Sequence, residues 1–236
     1  MSKRKKNEAQ LQSIKAIFFD AGGTLIHLDA ALICDLIKGA LGSAPPHDCF
    51  RRGQHLAMLK VAQLAAEGAG STDKLKAQFY STLLPEIGIP TIKLLQAVER
   101  VLKLAHAEML WRKADESTAS TLKRLKDRGL ILGIVSNSDG RVESALEQAG
   151  LASYFDFFID SFLVGVEKPD PAIFRIATER AQIVAGQAAY VGDLYSVDVV
   201  GARAAGLLPI LYDPYDLNRE ADCIRIRRLD ELMEKI

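Results

Sequence analysis

Cysteine is scarce in this sequence, and no residues are grouped as a zinc site requires. The three cysteines, Cys34, Cys49 and Cys223, are far apart and odd in number. Cysteines without a close partner are typical of a reducing compartment, so we expect free thiols and a cytoplasmic location. Because the histidines and cysteines do not cluster, the sequence argues against bound zinc.

The sequence also lacks an excess of charge and any long apolar run. Thirty basic and thirty acidic side chains cancel, so no overall field favours nucleic acid or an anionic membrane as a partner. The longest apolar runs, such as residues 130–135, are far too short to span a bilayer. The basic residues 3–6 are followed by polar ones, not by the apolar stretch of a signal peptide. We therefore expect no secretion signal or membrane span, and a flexible tail at residues 1–13.

Strand and helix patterns alternate regularly from residue 114 onward. The chain has 236 residues, of which 49% are hydrophobic, and this is enough to bury an α/β core with a smaller second unit. Repeated strand-helix units predict an α/β fold with a Rossmann-like parallel sheet and right-handed crossovers. The predicted strands of this part of the chain are residues 130–135, 155–159, 188–191, 207–212 and 223–226.

One further strand precedes this region, and a helical stretch separates the two. The apolar run that ends at Phe19 is followed by Asp20, Gly22 and Gly23, which is typical of a buried strand with a sharp turn after it. Residues 28–40 have apolar side chains at helical spacing, and residues 48–111 show only helical patterns, with no convincing strand. We therefore predict a core formed by residues 14–29 and 113–236, with a helical domain inserted at 30–112.

Polar residues fall where several of the predicted strands end or in the loops that follow: Asp20, Ser136 with Asn137, Lys168, and Asp193 with Asp198. The carboxyl ends of parallel strands meet at one edge of an open α/β sheet, and this edge binds ligands. Three carboxylates gathered there need a divalent cation or a lysine to offset their charge. Lys168 and Mg²⁺ are the expected offsets, since Mg²⁺ takes one or two carboxylates together with substrate phosphate.

Four motifs in this order resemble the haloacid-dehalogenase-like (HAD) hydrolase superfamily, of the capped subfamily I type. The motifs are FFDAGGTL at 18–25, VSNS at 135–138, EKPDP at 167–171 and VGDLYSVD at 191–198. Each is short, and their order and strand context make the resemblance specific. The likeness covers about residues 14–213. It implies a Rossmann-like sheet that carries the site and a helical cap that closes over it, here residues 30–112.

The resemblance also implies a role for each motif residue. Asp20 would be the nucleophile, which forms an aspartyl phosphate in the phosphatases. The implied catalytic residues are Asp20, Thr24, Ser136 and Lys168, and those that bind the substrate are Ser136, Asn137 and Lys168. The implied ligands of Mg²⁺ are Asp20, the Gly22 carbonyl, Asp193 and Asp198. The metal ion would act as a template and neutralise charge.

Gly22 departs from the pattern of most phosphatases of this superfamily, which carry a second Asp there as general acid. Such help is typically worth about 10² to 10⁴ in rate. Its loss is tolerable if the leaving group is good, as in acyl or aryl phosphates, or if another group such as His27 supplies the proton. Haloacid dehalogenases and phosphonoacetaldehyde hydrolases also lack this Asp. The dehalogenases work without metal, so the pair Asp193 and Asp198 favours phosphoryl chemistry.

We therefore predict a Mg²⁺-dependent hydrolase of the phosphatase type, which acts through Asp20 on a small phosphorylated metabolite. One alternative is the chemistry of a haloacid dehalogenase or a phosphonoacetaldehyde hydrolase. Another is a protein that keeps the fold but only binds a ligand or partner. The sequence does not predict the identity of the substrate or the oligomeric state.

Overall fold

The computed structural model describes residues 11, 13–38, 47–68 and 72–236. Contacts divide the chain into two compact units: a sheet unit, which runs to Ile26 and resumes at Ala114–Ile236, and a helical unit, His27–Lys113. Most of the expected tail at residues 1–13 lies outside the described residues. Within the described part of the chain, no helix has the length and apolar character needed to cross a membrane.

The described elements are named in chain order. The strands are β1 (Ala16–Phe19), β2 (His27–Leu28), β3 (Trp111–Lys113), β4 (Ile131–Ser136), β5 (Phe157–Asp160), β6 (Ala188–Gly192), β7 (Leu208–Tyr212) and β8 (Ile224–Ile226). The α-helices are α1 (Ala30–Ile37), α2 (His47–Ala66), α3 (Thr72–Glu86), α4 (Thr91–Ala107), α5 (Glu116–Asp127), α6 (Val142–Gln148), α7 (Ser161–Val164), α8 (Pro171–Arg180), α9 (Val200–Ala204) and α10 (Leu232–Lys235). A π-helical turn spans Tyr195–Val199, and short 3₁₀ turns occupy Ala152–Tyr154, Ala185–Gln187 and Leu229–Glu231.

The sheet unit contains a six-stranded parallel sheet with the spatial order β5-β4-β1-β6-β7-β8. This confirms the predicted α/β fold with a Rossmann-like parallel sheet. Every residue of β1, β6 and β7 is buried, as expected for central strands with both faces covered. Helices connect the successive strands from β1 to β7. Because all six strands pair in parallel, their carboxyl ends lie at one edge.

One face of this sheet buries aromatic side chains. Phe18, Phe157, Phe174 and Tyr190 belong to a single core cluster. The rings of Phe18 and Phe157 meet edge to face at 5.5 Å, although Gly133 lies between these residues in the strand register. A Cβ at Gly133 would lie 2.3 Å from Phe157 Cζ. The glycine in β4 is therefore required for the Phe157 ring to lie over the strand.

The chain turns sharply just after Asp20. The backbone N–H of Asp20 still donates to the Val191 carbonyl at 2.9 Å, as a continuation of the sheet. The N–H groups of Leu25 and Ile26 then both donate to the Ala21 carbonyl, at 2.9 and 3.0 Å. Gly23 has φ +91°, a conformation that glycine adopts without strain. The predicted turn thus leaves Asp20 at the edge of the sheet.

The helical unit contains helices α1 to α4 and a two-stranded antiparallel ladder of β2 and β3. The sequence predicted no strand between the one that ends at Phe19 and the one that begins at residue 130, and this was wrong, because β2 and β3 lie between them. Beside the ladder, Arg112 Nε donates to Asp29 Oδ2 at 3.0 Å, and Asp29 Oδ1 accepts from the N–H of Leu32 in the first turn of α1. The role of this unit as a cap stays a prediction.

Candidate active site

Five polar residues follow or end strands at the carboxyl edge of the sheet, or lie in the loops there: Asp20 after β1, Ser136 at the end of β4, Lys168 before α8, Asp193 after β6, and Asp198 in the π-helical turn. All five are buried, and Asp193 is fully inaccessible to solvent. Burial of so many charged and polar groups is costly unless they contact one another or a ligand. Their arrangement therefore needs an explanation beyond packing.

The Lys168 ammonium group is the centre of this arrangement. Its Nζ donates to Asp20 Oδ1 at 2.7 Å and to Asp198 Oδ1 at 2.8 Å. A third hydrogen bond, of 2.8 Å, goes to the hydroxyl of Tyr190. Because an ammonium group has three N–H donors, each of them has an acceptor here. Asp20 Oδ1 also accepts from Ser136 Oγ at 3.1 Å.

Asn137 fixes the loop that carries Lys168. Its Nδ2 donates to the Lys168 carbonyl at 3.0 Å, and its Oδ1 accepts from the Lys168 N–H at 2.8 Å. The amide side chain thus makes two hydrogen bonds to one backbone unit, as a neighbouring strand would. The family resemblance implies that Asn137 binds the substrate, and it does not indicate this use of the side chain.

Asp198 lies unusually close to β6. Its Oδ2 accepts from the Leu194 N–H at 2.9 Å, and its side chain covers Gly192. A Cβ on Gly192 would lie 2.3 Å from Asp198 Cγ and 2.6 Å from Asp198 Cβ. The glycine before Asp193 is therefore needed so that a second carboxylate can approach the end of the strand.

Replacing Gly192 by alanine is expected to destabilise the protein by about 1 to 3 kcal/mol, because the added methyl group overlaps Asp198 and must displace it. Denaturant unfolding measures this loss. The matched control is Gly186→Ala, since a Cβ there would meet no atom within 4 Å and should change stability by less than about 0.5 kcal/mol. Equal stabilities for the two variants would contradict the tight contact between Gly192 and Asp198.

The carboxylates outweigh the positive charge that contacts them. Burial raises the pKa of Asp20 to about 7; Lys168 opposes this shift, while Asp198 and Asp193 add to it. Burial alone would lower the pKa of Lys168, but Asp198 and Asp20 together hold it above its usual value. Lys168 thus stays charged, while ionised Asp20 is disfavoured. A further cation would relieve the imbalance.

The oxygen atoms at this edge suit a hard divalent cation. Mg²⁺ prefers oxygen ligands, and these are provided here by the carboxylates of Asp20 and Asp193 and by the Gly22 carbonyl. One oxygen of Asp198 accepts from Lys168 and the other from the Leu194 N–H. Asp198 is therefore better placed to accept a hydrogen bond from a water bound to the metal than to coordinate the metal directly. In the described part of the chain, no three His, Cys, Asp or Glu side chains form a ready-made metal cluster. Mg²⁺ does not require one, since it keeps several waters.

Thr24 contributes a buried polar atom to the turn after Asp20. Thr24 is fully buried, and its Oγ1 has no hydrogen-bond partner among the described residues. A buried hydroxyl without a partner is destabilising, and such groups in proteins usually bind water or a ligand. This agrees with a site in which Thr24 completes its hydrogen bond to a substrate oxygen or a water molecule.

Two residues of this region were missed by the sequence analysis. Tyr190, in the middle of β6, contacts Lys168; the available signal was a single hydroxyl in an otherwise apolar strand. Asp160, at the end of β5, is buried and accepts hydrogen bonds from the N–H groups of Gly140, Val142 and Phe162. It therefore shapes the loop that follows Ser136. A lone Asp at a strand end gave no reason to expect this.

Comparison with known proteins identifies the family. The model of the haloacid dehalogenase-like hydrolases matches residues 14–206. This chain belongs to that family. The match confirms the resemblance inferred from the four motifs, and the protein is a HAD-like hydrolase.

Two similar proteins with curated names each match a segment of this HAD-like hydrolase. Haloacid dehalogenase-like hydrolase domain-containing protein 3 of Mus musculus is 47% identical over 92 residues, which are 39% of this chain and 37% of the mouse protein. Ribulose-1,5-bisphosphate 5-phosphatase of Halopiger xanaduensis is 36% identical over 95 residues, 40% of each chain. The matched segment thus spans less than half the length of either relative.

A solved structure extends the likeness to nearly the whole chain. The 2-haloacid dehalogenase from Pseudomonas syringae pv. Tomato superposes with a TM-score of 0.57 and 26% sequence identity, over 94% of this chain and 97% of the dehalogenase. The similar proteins therefore include one named as a phosphatase and one named as a dehalogenase. Overall likeness does not choose between these two reactions, and the choice depends on the site residues.

Proposed function

We propose that this HAD-like hydrolase is a Mg²⁺-dependent phosphatase that uses Asp20 as nucleophile on a small phosphorylated substrate. The observation that carries the proposal is the burial of Asp193 and Asp198 at the same edge of the sheet as Asp20. Buried carboxylates are costly without a cation. Displacement of a halide needs one carboxylate, whereas phosphoryl transfer with Mg²⁺ gives the other two a role.

The hydrogen bonds to Asp20 support a nucleophilic role. In the described part of the chain, the side-chain donors Ser136 and Lys168 both contact Oδ1, so Oδ2 is the oxygen available for attack on phosphorus. An O–P bond would form at Oδ2 while the leaving oxygen departs with its electron pair. Water would then hydrolyse the aspartyl phosphate and release inorganic phosphate. Bound Mg²⁺ would supply charge neutralisation and a template for the phosphoryl oxygens.

Gly22 limits the leaving groups that this mechanism can use efficiently. No carboxylate stands two residues after Asp20, so proton donation to the leaving oxygen is weakened unless another group supplies it. His27 was one candidate; it is buried, and its Nδ1 lies 3.3 Å from Gln54 Nε2 within the helical unit. We infer that acyl and aryl phosphates, whose leaving oxygens need little protonation, are the substrates turned over fastest.

The test compares three kinds of substrate, with Mg²⁺ and with a chelator in its place. We expect Mg²⁺-dependent phosphate release from acetyl phosphate and 4-nitrophenyl phosphate, and rates about 10² to 10⁴ lower for glycerol phosphate. We expect no chloride release from 2-chloropropionate. Metal-independent chloride release would replace the proposal by dehalogenation. If the protein binds Mg²⁺ in calorimetry but releases no product from any of these compounds, a ligand-binding role would be favoured.

The likeness to the Halopiger phosphatase supports a phosphorylated small molecule as substrate, although the matched segment is short. The three cysteines are free, which supports the further proposal of a cytoplasmic location. The balanced charge supports neither nucleic acid nor a membrane as partner. Fractionation of cells that express the protein tests the location.

A further inference from the structure

The hydroxyl of Tyr190 has hydrogen-bond roles that chemistry fixes. It lies 2.7 Å from the Val135 carbonyl oxygen and 2.8 Å from Lys168 Nζ. A carbonyl can only accept and an ammonium group can only donate. The hydroxyl therefore donates its proton to Val135 and accepts from Lys168. Asp198 Oδ1 is also near, at 3.3 Å, but the carbonyl is the closer acceptor for the single proton.

Tyr190 joins two strands that are not neighbours. In the sheet, β1 lies between β4 and β6. The side chain of Tyr190, on β6, thus reaches across β1 to the carbonyl of Val135 on β4. The strand that it crosses is the one that ends at Asp20. The hydroxyl is therefore tied to both strands that flank the proposed nucleophile.

The ring that carries this hydroxyl is held firmly. Tyr190 is buried, and its ring meets that of Phe174 edge to face, with centroids 4.9 Å apart and planes at 84°. A Cβ on Gly201 would lie 2.6 Å from Phe174 Cε2, so a glycine in α9 lets the Phe174 ring occupy this position. Packing thus fixes the Tyr190 ring, and the hydrogen bond to Val135 fixes the hydroxyl.

The Lys168 side chain, by contrast, is a flexible four-carbon chain. Two carboxylate contacts alone would leave its ammonium free to shift between Asp20 and Asp198. We propose that Tyr190 is a positioning residue, whose hydroxyl supplies the third acceptor and holds the Lys168 ammonium where it contacts both carboxylates. This inference rests on the proposed function, because it gives Tyr190 a part in the same reaction through Lys168.

The test replaces Tyr190 by phenylalanine, which removes the oxygen and keeps the ring packed on Phe174. We expect kcat for 4-nitrophenyl phosphate to fall about tenfold, which is part of the roughly 10²-fold that a misplacement of 1 Å can cost, while KM changes less than about threefold. The matched control is Tyr154→Phe, which removes the same atom from the 3₁₀ turn before β5, at the opposite edge of the sheet. It should leave kcat unchanged.

A second comparison, made in the Lys168→Met variant, distinguishes positioning of Lys168 from a merely structural role of Tyr190. If Tyr190 acts through Lys168, adding Tyr190→Phe to this variant should lower kcat by less than about twofold. Losses that multiply in the double variant would overturn the inference. Crystal structures give an independent readout: Lys168 Nζ should leave its place beside Asp20 Oδ1 in Tyr190→Phe, and an unmoved Nζ would overturn the inference.

The two proposals fail in different ways. An active wild-type enzyme with an equally active Tyr190→Phe variant would overturn the positioning role alone. A wild-type protein that releases no phosphate from any substrate would overturn the proposed function, and the role of Tyr190 in it would fall with it.

Discussion

Asp20→Asn is expected to lower Mg²⁺-dependent phosphate release by at least about 10⁴-fold, the order of effect seen when an enzyme loses its nucleophile. Asparagine has nearly the same size, so the turn after β1 and the contacts of Ser136 can persist. Its amide oxygen, however, is a poor nucleophile and cannot form the aspartyl phosphate. Initial rates with acetyl phosphate and 4-nitrophenyl phosphate measure the effect.

The same variant should not lose stability, and this separates catalysis from folding. The pKa of Asp20 is raised to about 7 in the folded protein, above the value of about 3.9 expected in the unfolded chain. A raised carboxyl pKa contributes stability at low pH that is lost as pH rises through the folded pKa. In metal-free protein, the stability of Asp20→Asn relative to wild type should therefore increase from about pH 4 to about pH 7.

The control for this prediction is Asp127→Asn, at an exposed site on α5 where the carboxylate pairs with Lys123. Exposed pairs of this kind contribute less than about 1 kcal/mol, and the variant should keep full activity. An Asp20→Asn enzyme that retained more than about a hundredth of the wild-type rate would point to direct attack by water and against a covalent intermediate.

The positions of the site residues could be predicted from the sequence because parallel strands share one edge. Apolar runs mark the strands, and a polar residue after each run must lie at that edge in any parallel arrangement. Asp20, Ser136 and Asp193 follow this rule. Lys168 and Asp198 lie in a loop and a turn, and the strand pattern placed them at the same edge; their roles followed only from the family resemblance.

Other features could not be predicted, because their signals are local or arise from packing. Strands of two or three residues, such as β2 and β3, are too short to show a period of two. The segment before α9 forms a π-helical turn, Tyr195–Val199. Such turns are frequent at functional sites, but one additional residue per turn leaves no trace in an apolar pattern.

The contacts of Tyr190 and Asn137 illustrate a further limit. An apolar strand pattern predicts that Tyr190 is buried, but not that its hydroxyl reaches a strand two positions away in the sheet. The sequence likewise places Asn137 after β4 without fixing the direction of its side chain. The spatial order of the strands in the sheet determines both contacts, and that order depends on the crossover connections along the whole chain.

Lys168→Met is the second variant with a large expected effect. Methionine keeps most of the volume of the side chain but removes the charge that Asp20 and Asp198 share. Removing one partner of a buried ion pair typically costs about 3 to 5 kcal/mol, because the other charge stays buried and unpaired. Loss of the positive charge beside Asp20 should also lower kcat by about 10² to 10³, because that charge stabilises the transferring phosphoryl group electrostatically. Denaturant unfolding of metal-free protein and initial rates measure the two effects.

The surface pair of Lys126 and Asp156 provides the control, since both side chains are about one-third exposed or more. Lys126→Met should cost less than about 1 kcal/mol and leave activity intact. A similar loss of stability for the two methionine variants would contradict the view that Lys168 offsets buried charge.

A double variant shows whether Lys168→Met loses stability through the missing charge or through altered packing. Asp20→Asn added to Lys168→Met removes one of the two carboxylates that the first change leaves unpaired. If charge causes the loss, the double variant should be more stable than Lys168→Met alone, although it remains inactive. If the loss came from packing, the second change would restore nothing. Mg²⁺ should also stabilise Lys168→Met at neutral pH, since a bound cation would take over the charge balance that the lysine provides.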